Sequence, residues 1–149
     1  MTREDDLRRI REGLAAAAEA IEPFTPGDID FQRKELRNDP VTEADEAADR
    51  VLREILPQAG EGWLSEESAD DLVRLERERV WVVDPIDGTR EFIAGIPEWC
   101  ISIGLLEGGE PVAGGIYNPA TDQLVLGSLE DGVTMNGDPA TVTQPDLTG

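Results

Sequence analysis

Histidine is absent from the 149-residue sequence, and Cys100 is its only cysteine. These absences exclude a disulfide within the chain, zinc sites built on thiolates or imidazoles, and catalytic triads or dyads that use histidine. Any metal ion bound by this chain must therefore be held by oxygen ligands, the donors that Mg²⁺ prefers.

Basic residues are scarce as well. Lysine and arginine together number 13 against 33 aspartates and glutamates, which gives a formal charge of −20. Because so acidic a surface repels nucleic acids and anionic membranes, neither is expected as a partner. The same surface repels a phosphate ester unless bound cations reverse the local field, so phosphate chemistry here would require metal.

Long apolar runs are lacking too. No stretch approaches the length of a transmembrane helix, and residues 2–11 are charged without the apolar core of a signal peptide. We therefore expect a cytoplasmic protein. An apolar content of 39% is typical of one globular domain spanning residues 1–149.

The order of periodicities predicts an α+β fold with two amino-terminal helices on a mostly antiparallel sheet. Apolar residues from Leu7 to Ile21 recur at helical spacing and predict the first helix. A loop is predicted over 23–38. A second helix is predicted from Thr42, which can cap it, to just before Pro57. Beyond Gly60, short apolar runs predict strands at 62–64, 80–83, 100–106, 111–117 and 123–128. Residues 137–149 contain no predicted closing element, so we expect the chain to be incomplete.

The strongest chemical motif is Asp-Pro-Ile-Asp-Gly-Thr at 84–89, directly after an apolar segment. A strand would deliver Asp84 at its end, Pro85 would force a turn, and Asp87 would return to the same side. The two carboxylates would then converge, which suits Mg²⁺. Gly88 and Thr89 would begin a short helix whose free N–H groups receive an anion. The alternative is a simple Asp-Gly turn after a buried strand.

Two further acidic segments have weaker signals. Glu66, in Ser65-Glu66-Glu67-Ser68, follows a predicted strand and would bridge cations beside the aspartates, although paired glutamates usually mark a solvated helix start. Asp45 borders the buried face of the second helix, where a carboxylate is costly unless it is paired or near metal. The alternative role for Asp45 is helix capping.

In this order, the three segments resemble the inositol monophosphatase superfamily, from the first helix to Met135-Asn136-Gly137. The resemblance implies a magnesium-dependent phosphomonoesterase that acts on a small phosphorylated substrate with two or three Mg²⁺ ions in the complete site. It implies the first half of a layered αβαβα fold, without the carboxy-terminal α/β domain. Apolar faces left open by that domain would favour a homodimer.

The resemblance also implies the metal ligands. Glu66 and Asp84 would bind the first Mg²⁺ together with the carbonyl of Ile86, and Asp84 and Asp87 would bind the second. The family has another metal-binding aspartate in a later Trp-Asp segment that this sequence does not contain. Two positions depart from the family pattern: Asp39 stands where many members have serine, and Lys34 is out of register and is not expected in the site.

Catalytic and substrate-binding roles follow from the same resemblance. Thr89 and Asp45 would orient the attacking water, Glu66 would complete the catalytic set, and the amides of Gly88 and Thr89 would hold the phosphate. Arg90 would bind a second phosphate or form a structural ion pair. The chemistry implied is hydrolysis assisted by two metal ions, without a covalent enzyme intermediate.

The substrate implied by finer likeness is a nucleotide. Arg90-Glu91-Phe92 and the segment 64–68 resemble the 3'(2'),5'-bisphosphate nucleotidase branch, which acts on 3'-phosphoadenosine 5'-phosphate. Two alternatives remain open: an inositol-1-phosphate phosphatase, and a metal-binding piece that is inactive without its missing half.

Overall fold

A computed structural model of the chain describes residues 2–24, 40–65 and 72–140, without the side chains of residues 40–42, 73, 89 and 140. The described residues confirm the predicted α+β class, with helices on one face of a seven-stranded, mostly antiparallel sheet. The α-helices are α1 (Arg3–Ile21), α2 (Pro40–Ile55) and α3 (Thr89–Ala94). The strands are β1 (Gly62–Ser65), β2 (Arg79–Asp87), β3 (Cys100–Glu107), β4 (Glu110–Asn118), β5 (Gln123–Ser128), β6 (Gly132–Met135) and β7 (Asp138–Ala140).

Helix α1 begins with a reciprocal cap. The Thr2 hydroxyl accepts a hydrogen bond from the Asp5 amide at 3.1 Å, and the Asp5 carboxylate accepts one from the Thr2 amide at 3.4 Å. These bonds satisfy two N–H groups that have no partner inside the helix, and acidic side chains in the first turn favour the helix dipole. None of the helices among the described residues is long and apolar enough to cross a membrane.

The sheet follows chain order from β1 to β7. Strands β1 and β2 pair in parallel, whereas each later strand pairs antiparallel with its neighbour. Alternate residues of β3, namely Ile101, Ile103 and Leu105, are buried against the helices. The residues between them therefore face the opposite side of the sheet, away from the helices.

Helix α1 crosses β4 at Gly115, and the approach is close. A Cβ atom at Gly115 would lie 2.6 Å from Cγ2 of Ile10 and 2.7 Å from Cδ2 of Leu126. Glycine at this position lets the apolar face of α1, which includes Leu14 and Ala17, lie directly on the sheet. The core of the domain is this helix–sheet layer.

A cluster of arginines and carboxylates lies at the end of the sheet where β2 begins. Asp6 is only 1% exposed and contacts Arg79 at 2.5 Å. The Glu61 side chain is 6% exposed and contacts Arg9 at 3.0 Å and Arg79 at 2.9 Å. Trp81 donates its indole N–H to Glu61 at 2.9 Å. We call this set, Asp6, Arg9, Glu61 and Arg79, the arginine–carboxylate cluster; it ties α1 to the start of β2.

Several predicted boundaries are corrected by the structure. Helix α2 begins at Pro40, before Thr42, because the fixed φ of proline and its missing N–H suit the first turn of a helix. The carboxy-terminal segment was expected to lack a closing element, yet β7 pairs with β6 there. The predicted loop over 23–38 lies mostly outside the described residues; its first residues belong to a 3₁₀ turn, Glu22–Phe24.

Candidate metal and phosphate site

Strand β2 carries the Asp-Pro-Ile-Asp segment, and it contains a bulge there. Asp84 lies opposite Ser102 and Asp87 lies opposite Cys100, so β2 advances three residues while β3 advances two. The predicted turn at Pro85 is therefore wrong, since the strand continues to Asp87. The extra residue is accommodated as a β-bulge instead.

The bulge changes which face Asp87 occupies. In a regular strand, residues three apart point to opposite faces of the sheet. Here the partners Ser102 and Cys100 are two residues apart on β3, and consequently Asp84 and Asp87 share a face. The register thus gives Asp84 and Asp87 a common face through a bulge, whereas a turn at Pro85 was predicted.

Both carboxylates act on the Cys100 thiol. Burial, and then the negative charges of Asp87 and Asp84, raise the pKa of Cys100 above its usual value. Two anionic side chains acting on one half-buried group indicate a concentrated negative field at this point of the sheet. Such a field favours a divalent cation, and the carboxylate oxygens available are of the kind that Mg²⁺ takes as ligands.

The third predicted acidic ligand, Glu66, lies outside the described residues. Among residues 2–24, 40–65 and 72–140, no three Asp, Glu, Cys or His side chains are grouped so as to hold a metal ion. The side chain of Ile86 is buried in the core, 3% exposed, and the proposed metal contact of its carbonyl stays a prediction. The donor set therefore fits Mg²⁺ in chemistry, with two carboxylates described.

Gly88 joins the strand to α3 in a conformation that favours glycine. Its φ is +99°, and its carbonyl accepts the Phe92 amide at 3.0 Å, which closes the first turn of the helix. Arg90 is exposed on this helix. Of Thr89 the structure describes only the backbone, as the first residue of α3. The predicted start of a short helix at Thr89 is confirmed.

Helix α2 contributes two buried carboxylates. Asp45 is 5% exposed and Asp49, one turn later, is 7% exposed. Asp45 was expected at the border of the buried face and is inside it. Asp49 was not among the predicted site residues, although its spacing of four residues from Asp45 places both on one helix face. Helix α2 packs against both β2 and α3, the elements that carry the motif.

A shallow cavity of about 330 Å³ opens beside Asp87. Asp87, Gly88 and Trp99 line one end of it. Its floor is formed by apolar side chains of the neighbouring strands, Ile116, Val125 and Met135. The sequence pattern predicted the strands of Ile116 and Val125, but neither the strand of Met135 nor the cavity, because the cavity depends on how adjacent strands are paired.

Comparison with known proteins gives one consistent family. The family described as "Inositol monophosphatase family" matches residues 4–149. A curated relative, the inositol-1-monophosphatase of Rhizobium meliloti (strain 1021), is 39% identical over 100 residues, which are 66% of this chain and 37% of that protein.

Solved structures agree with the sequence matches. An inositol monophosphatase from Zymomonas mobilis superposes with a TM-score of 0.79 at 33% identity, covering 96% of this chain and 55% of that one. CysQ from Bacteroides thetaiotaomicron, described as a bacterial member of the same family, superposes with a TM-score of 0.79 at 28% identity, covering 97% and 55%. The chain thus spans about half the length, or less, of these three proteins.

Proposed function

Because the chain belongs to the inositol monophosphatase family, we propose that it provides most of the metal site of a Mg²⁺-dependent phosphomonoesterase. Glu66, Asp84 and Asp87 would hold the cations together with the carbonyl of Ile86. When bound, Mg²⁺ would lower the pKa of the attacking water and stabilise the leaving oxygen. The activity belongs to the complete site, of which this chain spans a part.

One observation supports this proposal above the others: the bulge in β2 that gives Asp84 and Asp87 a common face. Without it, residues three apart on a strand would point to opposite sides and would not share a cation. Burial, and then the charges of Asp87 and Asp84, raise the pKa of the Cys100 thiol, which agrees with both carboxylates lying near that residue.

The remaining residues of the motif would act on the phosphate and the water. Asp45 and Thr89 would orient the water, with Glu66 completing the catalytic set. The backbone amides of Gly88 and Thr89 would hold the phosphate, and the exposed Arg90 would contact a second anionic group of the substrate. A small phosphorylated molecule is the substrate class that this arrangement suits.

The names of the relatives change the balance between the two substrates. The curated relative and the Zymomonas mobilis structure are named for inositol monophosphate, whereas CysQ appears as a structural neighbour. We therefore place inositol 1-phosphate first and keep 3'-phosphoadenosine 5'-phosphate, supported by Arg90-Glu91-Phe92, as the second candidate. A homodimer remains a prediction that none of these comparisons addresses.

Metal binding is tested first, on the 149-residue chain, by calorimetric titration with Mg²⁺. We expect uptake by the wild type and loss of uptake in Asp84→Asn, because one carboxylate serves both cations. Asp138→Asn removes the same charge from an exposed position on β7 and should leave uptake unchanged. Equal weakening in both variants would mean that Mg²⁺ responds to net charge alone, and the site as proposed would be wrong.

Catalysis is tested by Mg²⁺-dependent phosphate release from inositol 1-phosphate and from 3'-phosphoadenosine 5'-phosphate. The assay is run on the chain alone and on the chain joined to the carboxy-terminal half of a full-length relative. Activity only in the joined protein would support the reading of this chain as a metal-binding part. Absence of release from either substrate in both proteins, despite Mg²⁺ uptake, would contradict the phosphatase proposal.

A further inference from the structure

The Asp87–Gly88 turn lies directly against the segment formed by residues 97–99. A Cβ atom at Gly88 would lie 2.9 Å from the carbonyl oxygen of Glu98 and 3.1 Å from Cα of Trp99. Gly88 has no side chain of its own, and the third atom near its Cβ site is Cβ of Trp99, at 3.2 Å. A shift of Glu98 and Trp99 would therefore be passed directly to the turn.

Residues 97–99 are fixed at both ends. At one end, the buried Trp99 ring packs edge-on against Phe92 of α3, with the ring centres 4.9 Å apart. At the other end, the carbonyl of Pro97 accepts a hydrogen bond at 3.0 Å from the side-chain amide of Asn118, the last residue of β4. Asn118 thus reaches across 21 residues of sequence to hold this segment.

The Asn118 side chain is itself held in one orientation. Its oxygen accepts the backbone N–H of Ala120 at 2.9 Å and that of Thr121 at 3.3 Å, in the turn that follows β4. With the oxygen bound to two donors, the NH₂ group is left facing Pro97. The donor to Pro97 is thus preorganised by the turn and does not depend on a freely rotating side chain.

We infer that Asn118 is a positioning residue, which sets the place of Asp87 and Gly88 by holding residues 97–99 against them. This inference rests on the proposed function, in which Asp87 is a ligand of Mg²⁺. Mg²⁺ demands nearly ideal ligand geometry, so a small displacement of one carboxylate weakens binding. Outer residues that orient metal ligands affect affinity for this reason, although they never touch the ion.

Three variants separate positioning from general stability. Asn118→Asp keeps an oxygen acceptor for the Ala120 and Thr121 amides but loses the donor to Pro97. Asn118→Ala loses both the oxygen acceptor and the donor to Pro97. As a matched control in the same turn, Thr121→Ala removes the hydroxyl bond to Gln123 at 3.1 Å and leaves Asn118 in place.

The first measurement is amide hydrogen exchange in the metal-free chain. We expect faster exchange at residues 87–99 in both Asn118 variants and wild-type rates there in Thr121→Ala. Unchanged exchange at 87–99 in Asn118→Asp would overturn the inference. Equal loss of protection over the whole sheet would overturn it too, because that result indicates a role in stability alone.

The second measurement is the Mg²⁺ dissociation constant of each variant. Loss of one hydrogen bond that orients a ligand should raise the Mg²⁺ dissociation constant about fivefold in both Asn118 variants. The dissociation constant of Thr121→Ala should not change. The added charge of Asn118→Asp would by itself attract Mg²⁺, so the direction of change distinguishes positioning from electrostatics. Wild-type or tighter binding in Asn118→Asp would refute the inference while leaving the proposed function standing. No uptake by the wild type would refute the proposed function instead.

Discussion

Replacing Glu61 by glutamine should remove a large part of the stability that the arginine–carboxylate cluster supplies at neutral pH. The change keeps the shape of the side chain and deletes its charge. Burial alone would raise the pKa of Glu61, but the hydrogen bonds from Trp81, Arg79 and the Gln58 amide, with the charge of Arg9, lower it from 4.5 to about 2. The ionised form of Glu61 is therefore favoured by the fold.

The expected loss of unfolding free energy follows from that shift in the pKa of Glu61. At about 1.4 kcal/mol per pKa unit, a fall from 4.5 to about 2 corresponds to about 3 kcal/mol of stability at pH 7. The side chain is 6% exposed, so screening by solvent reduces this little. Glutamine can still accept some of the hydrogen bonds, so we expect Glu61→Gln to lower the free energy of unfolding by about 2–3 kcal/mol.

The pH dependence has a definite sign. Because the folded pKa lies below the unfolded one, the contribution of Glu61 is complete above about pH 5 and is lost as the pH falls towards 2. The free energy of unfolding in urea should be lower for Glu61→Gln than for the wild type at neutral pH. This difference should narrow steadily as the pH falls. Glu130→Gln is the control, since this exposed carboxylate also contacts an arginine, Arg3, and should change stability little. If the two proteins have equal free energies of unfolding at neutral pH, or if their difference does not narrow with acid, the predicted contribution of the Glu61 charge is refuted.

Two further predictions concern glycines where backbone and side chains meet closely. Gly115→Ala places a Cβ 2.6 Å from Cγ2 of Ile10 and should lower the free energy of unfolding in urea by about 1–3 kcal/mol. The matched change Gly114→Ala, whose Cβ would lie 3.3 Å from the carbonyl oxygen of Ile103, should cost less, and equal costs would contradict the close packing of α1. Gly88→Ala combines a φ of +99° with a carbonyl oxygen 2.9 Å from the new Cβ, whereas Gly109→Ala has a φ of +84° and no atom within 4 Å. We expect Gly88→Ala to lower the thermal midpoint more than Gly109→Ala does, and to weaken Mg²⁺ uptake. If the two variants have similar thermal midpoints and similar Mg²⁺ uptake, the proposed role of the turn is contradicted.

Much of the fold could be predicted from local patterns. The spacing of Leu7, Ile10 and Leu14 is a helical signal that depends only on neighbouring residues, and structure bears it out. The short apolar runs at 100–106 and 123–128 predicted strands for the same reason, within one residue of the observed bounds. Strands β6 and β7 were missed because they are short, mostly exposed and interrupted by glycine, so their periodicity is weak.

The candidate site divides in the same way. The sequence by itself determined the residue types, an acidic pair flanking Pro-Ile before Gly-Thr. The prediction of oxygen ligands that suit magnesium rests on those residue types. Tertiary structure alone decided that Asp84 and Asp87 face one side, because that depends on a bulge in the pairing with β3. It also decided that Asn118 holds residues 97–99 and that Glu61 meets Arg79. Such contacts join residues far apart in the chain, and no local pattern records which distant partner a polar side chain will meet.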